Sequence, residues 1–164
     1  MEKKFSTLIK VLQDELSTYK DLLKLAEKKT DVLTKGDVEL LNKITAIEQE
    51  SIVKIGNMEK QRFEIIEAIA REYKKDVSEI NAEFMGKVLP EDDARKFFEI
   101  YEELKKVLKD IDEKNKINEK LIIRALEYIQ FTIDLITQSS KEESGYSADG
   151  KTRENALNFI DRKA

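Results

Sequence analysis

Apolar side chains recur every three or four residues along most of the chain, and the runs in which they do so mark its elements. Phe5, Leu8, Leu12, Leu16, Tyr19, Leu23, Ala26 and Leu33 keep this spacing, broken only at Thr30. Residues three and four apart share one face of an α-helix, so the run predicts a helix over about 6–35 with a single apolar seam. Gly36 then supplies the left-handed residue that closes a helix, and Asp37 a side chain that caps the next one. Thr34-Lys35-Gly36-Asp37 therefore reads as a tight reversal between antiparallel helices.

A second helix is predicted over about 37–74. Its stripe runs through Leu41, Ile44, Ile47, Ile55, Met58, Ile66, Ile69 and Tyr73, and weakens where Glu48, Ser51 and Arg62 fall on or beside it. Gly56 lies mid-helix, where it costs about 1 kcal/mol relative to alanine. It either admits a close neighbour or has no packing role. From Lys74 to Leu89 the period is lost: Asp76 and Gly86 punctuate, Ser78 suits a cap, and a short helical turn is predicted over about 78–86. Phe84, Met85, Val88 and Leu89 are expected to plug one end of the core.

The third helix is predicted over 90–139. Pro90 suits a first helical position, and Glu91, Asp92 and Asp93 complement the positive end of the helix dipole. Its seam reads Phe97, Tyr101, Leu104, Leu108, Ile111, Asn115, Asn118, Ile122, Ala125, Ile129, Ile133 and Ile136. A helix of this length rises about 75 Å. The expected fold is all-α: an elongated antiparallel three-helix bundle or coiled coil over 1–139, with a flexible C-terminal tail over 140–164. Asn115 and Asn118 fall at core positions, either as a buried polar pair that fixes register or as groups that cap backbone or hold water where a partner helix docks.

Composition narrows the function. Charged residues make up 39% and apolar ones 40%, a mixture that clothes long helices and leaves apolar side chains for narrow stripes. The net charge of −4 is a small difference between finely alternating signs, so no basic field awaits a nucleic acid. The chain has no cysteine and no histidine, which removes thiol nucleophiles, Cys/His zinc sites, the commonest general base and the Glu-x-x-His pairs of a di-metal bundle. Neither catalysis, a metal nor a cofactor is expected. Residues 1–10 lack the apolar run of a signal peptide and no stretch nears 18 apolar residues, so no membrane insertion and a cytoplasmic location are expected.

From Ser139 the sequence turns polar, with Gly145 and Gly150, a composition that favours disorder. Ala156, Leu157, Phe159 and Ile160 then form a short apolar cluster, either a docking peptide on a tether or a frayed, sticky end.

The order of these pieces resembles the FlgN family. The likeness rests on Leu16, Tyr19, Leu22-Leu23 and Ala26-Glu27, then Gly36-Asp37 with Leu40-Leu41, and on the Arg62-centred segment from Glu59 to Ala70. It continues in Asn115-Lys-Ile-Asn118-Glu-Lys-Leu121-Ile122 followed by Ile129, which is similar to the family's closing signature of two asparagines before a Leu-rich end. Tyr146-Ser-Ala-Asp-Gly150 and the ending Asp161-Arg-Lys-Ala164 resemble members from Gram-positive bacteria. The resemblance implies a cytoplasmic chaperone of flagellar type III secretion. Such a protein binds the C-terminal segments of the two hook–filament junction proteins, keeps them from assembling early and delivers them to the export gate.

Helix-in-groove recognition through anchors at i, i+3, i+4 and i+7 suits that role. Past Asn118 the third helix has apolar residues on more than one face, including Leu121, Ile122, Ile123, Phe131 and Leu135. One seam cannot bury them all; the excess meets the first helix, contacts the tail, self-associates or awaits cargo. Leu126, Ile129, Ile133 and Ile136 are the candidate cargo-binding residues. Tyr146, Leu157, Phe159 and Ile160 are candidates for tail docking to cargo or gate. The same stripes also fit an alternative, a coiled-coil scaffold or adaptor acting by self-association.

Overall fold

The structure, a computed structural model, describes residues 2–145 and the side chains of 3–138. Helix α1 spans Glu2–Lys35, α2 Val38–Tyr73, α3 Ala82–Val88 and α4 Glu91–Gly145, with one 3₁₀ turn at Val77–Glu79. No strand occurs among the described residues, and the fold is all-α. The chain divides into two compact units, 1–121 and 122–164.

In the first unit, α1 and α2 are joined by the expected reversal. Gly36 takes φ 70°, a left-handed value that only glycine adopts without strain, and Asp37 Oδ1 accepts the backbone N–H of Leu40 at 3.0 Å. Lys4 pairs with Glu72, Glu15 with Arg62, and Lys29 with Glu48. Early residues of α1 thus meet late residues of α2, and the two helices run in opposite directions. Lys20 pairs with Glu103, and Ala26 meets Asn118, so α4 runs alongside α1 in the same sense.

One core gathers side chains from all four α-helices: Phe5 and Leu8 of α1, Ile69 of α2, Met85 of α3, and Phe97 and Leu104 of α4 among them. Leu89 is buried, while Phe84 and Val88 pack half-buried at its edge. The Tyr73 and Phe84 rings meet edge to face at 5.0 Å, a geometry that sets one ring's positive edge against the other's negative face. Gly86, expected to punctuate the chain at the end of the short turn, lies inside α3 instead. A Cβ there would come within 3.1 Å of the Phe98 ring, so the missing side chain lets α3 settle close to α4. Gly56, by contrast, faces open space and has no close neighbour. Pro90 stands one place before its expected position: its carbonyl accepts the Ala94 N–H at 2.8 Å, which makes it the cap of α4.

The expected seam of α4 is right at alternate positions as far as Asn118, and its later members Ile122, Ala125, Ile129, Ile133 and Ile136 are all exposed. Phe97, Leu104 and Asn118 are buried and Ile111 is half-buried, but the places between them belong to Ile100 and Val107 rather than to Tyr101 and Leu108, which are exposed. Asn115 is exposed, so the expected buried asparagine pair is a single buried asparagine.

The polar interruptions of the seams find one another across the helices. Asn118 Nδ2 donates to the Ala26 carbonyl at 2.9 Å, and the Thr30 hydroxyl donates to Asn118 Oδ1 at 2.7 Å. Thr30 and Asn118, each an exception on its own helix, satisfy each other and fix the register of α1 on α4. Arg62 Nε likewise donates to Glu15 Oε1 at 3.0 Å. Glu15 is 3% exposed, and no buried side-chain polar atom among the described residues lacks a partner.

Burial raises the Glu15 carboxyl above its ordinary value, and the Arg62 guanidinium opposes that rise. The folded form therefore holds this proton more tightly than the unfolded chain. Stability contributed here is greatest in acid and declines as pH rises from the ordinary carboxylate range through the raised value. Arg62→Leu should lower stability at neutral pH by about 1–3 kcal/mol, because it leaves a buried carboxylate without its donor. The deficit should shrink in mild acid as Glu15 becomes protonated, which urea melts at the two pH values would read. An equal deficit at both would mean that Arg62 acts through its packed stem alone.

Candidate functional site

The second unit contains the residues singled out for cargo. They lie on α4, whose regular backbone satisfies its own N–H and C=O groups and so leaves side chains to decide what the surface binds. Leu126 is 60% exposed, Ile129 53%, Ile133 51% and Ile136 64%, whereas Ile69 in the first unit's core is 1% exposed. The difference separates two populations of branched apolar side chains with the same sequence spacing. None of the four candidates is buried among the described residues.

Ile122, Leu126, Ile129, Ile133 and Ile136 alternate in steps of four and three, which at 3.6 residues per turn aligns them in one stripe along the helix. Tyr128, Phe131 and Leu135 form a second stripe, turned roughly 140° from the first at about 100° per residue. All three are exposed, Tyr128 most of all. Phe131 and Leu135 were visible in the sequence as apolar excess. Tyr128 was missed, although its position three residues before Phe131 places it on the same face.

Three polar groups of this surface turn back on their own helix. Thr132 donates to the Tyr128 carbonyl at 2.9 Å, Thr137 to that of Ile133 at 2.8 Å, and Gln130 Nε2 to Asp134 Oδ1 at 2.9 Å. Covering the first stripe would remove water mainly from apolar side chains and strand few donors, which favours association. The arrangement offers a ready-made helix face. Among the described residues no group of three or more His, Cys, Asp or Glu is placed to hold a metal ion, and no helix is long and apolar enough to cross a membrane.

The tail candidates Tyr146, Leu157, Phe159 and Ile160 lie outside the described residues. Compared with known proteins, the chain matches the family model described as FlgN protein over residues 1–154. No curated protein and no solved structure matches it.

Proposed function

The chain belongs to the FlgN family, a family of flagellar export chaperones rather than of enzymes, and from that premise we propose that it binds the C-terminal segments of the hook–filament junction proteins in the cytoplasm, keeps them from assembling early and delivers them to the flagellar export gate. The observation that carries the reading is the exposed stripe of Leu126, Ile129, Ile133 and Ile136 on a helix that needs no further support for its backbone. Cargo of this kind presents an amphipathic segment that later packs in the filament, and such a segment laid along the stripe buries both apolar faces at once. Binding of this type needs no cofactor.

We also propose that α1, α2 and α4 of the first unit form an antiparallel three-helix bundle, a reading supported by the register of the pairs that join them.

Affinity capture from a motile host is the direct experiment. The tagged chain is expected to bring down both junction proteins. Junction proteins missing from the eluate while the chain recovers copies of itself would replace this reading with that of a self-associating scaffold.

A further inference from the structure

One cargo helix covers one stripe, which leaves the Tyr128, Phe131 and Leu135 stripe on another side of α4 exposed. We propose that this second stripe is the docking site of the chain's own C-terminal segment, with Leu157, Phe159 and Ile160 as the inserted side chains. The proposal deepens the cargo reading, since it fills the face that cargo leaves open and directs cargo to the other.

Three observations support this occupant. The first is reach. Phe131 lies fourteen residues before Gly145, a distance of about 21 Å along a helix. Phe159 lies fourteen residues after Gly145, and a connection of that length can extend about 3.3–3.6 Å per residue, so the distance is well within its reach.

The second is size. Three anchors fall well short of the roughly 1,200 Å² that stable complexes between separate molecules bury. A tethered segment is held at an effective concentration on the order of millimolar, so a small contact suffices. A second copy has no such advantage.

The third is charge. Arg124 lies on the second stripe, four residues before Tyr128, and Glu127 and Asp134 edge it, two acids against one base, whereas the residues beside the first are Ala125, Gln130, Thr132 and Thr137. From Lys151 onward the tail has four basic residues, Lys151, Arg153, Arg162 and Lys163, against the acids Glu154 and Asp161. A segment of net positive charge is complementary to a stripe of net negative charge and gains no such attraction from the other.

The chain has no tryptophan, so Phe159→Trp in the full-length protein places a single reporter at the proposed contact. Its emission is expected at short wavelength and shielded from acrylamide, independent of protein concentration. Adding Phe131→Asp with Leu135→Asp should shift it to the wavelength of exposed tryptophan, whereas Ile129→Asp with Ile133→Asp should leave it unchanged. Exposed emission in the parent, equal loss from both stripes, or shielding that grows with concentration would each overturn the proposal, the last in favour of a second copy. No cargo enters this measurement, so its failure is distinct from failure of the cargo reading.

Discussion

Aspartate at both Ile129 and Ile133 is expected to remove cargo binding while leaving the melting transition in place. The two residues occupy the middle of the first exposed stripe, at 53% and 51% exposure, and neither belongs to the core of the first unit. Burying a side chain of this size contributes roughly 1.5–3 kcal/mol. Losing two anchors and forcing cargo to desolvate two carboxylates should weaken binding at least about a hundredfold, at 1.4 kcal/mol per tenfold. Titration with a junction-protein C-terminal peptide measures the loss, and circular dichroism on heating measures the stability. A variant that melts earlier and binds normally would show that these side chains support the fold instead.

Ile69→Ala should do the reverse. Ile69 is 1% exposed and belongs to the same core as Phe5, Leu8, Met85 and Phe97, so truncation opens a cavity that rigid neighbouring helices close only in part. The cost expected for such a change is about 2–5 kcal/mol, a large share of the 5–15 kcal/mol that holds a typical domain together. Urea denaturation should show the loss, while the fraction that remains folded should bind cargo with unchanged affinity. A cost near zero would mean that this core is looser than its burial indicates.

The helices were legible in the sequence because their signals are local. Steps of three and four, Gly36 with a positive φ, and Asp37 capping Leu40 follow from the chain itself. The facing of α4 was legible only by halves. Ile100 and Tyr101 are both apolar, and so are Val107 and Leu108, so two heptad phases fit the same sequence and share Phe97, Leu104, Ile111 and Asn118. Packing against two neighbouring helices selects the phase. The aliphatic Ile100 turns inward, while Tyr101 stays at the rim, where Lys105 lies 5.3 Å from its ring centroid.

The polar exceptions were visible too, but their partners were not. Thr30 and Asn118 stand 88 residues apart, and Glu15 and Arg62 stand 47 apart. Only the folded arrangement shows that Thr30 answers Asn118 and that Arg62 answers an acid beside the seam. Glu15 gave no warning, since it lies next to the seam residue Leu16 and reads as a solvated acid. The candidate site was legible as an excess of apolar residues, because a helix with more than one apolar side must meet more than its own neighbours. What covers each side depends on molecules and segments outside these helices, and no periodicity within α4 encodes it.

The central claim is that the exposed half of α4 is a cargo surface. Calorimetric titration of the junction-protein C-terminal peptide against Leu126→Ala, Ile129→Ala, Ile133→Ala and Ile136→Ala tests it most directly, with melting temperatures recorded alongside. The account predicts weakened binding at parental stability across the four variants. Parental affinity in all four, with lowered melting temperatures, would contradict it and place cargo elsewhere on the chain.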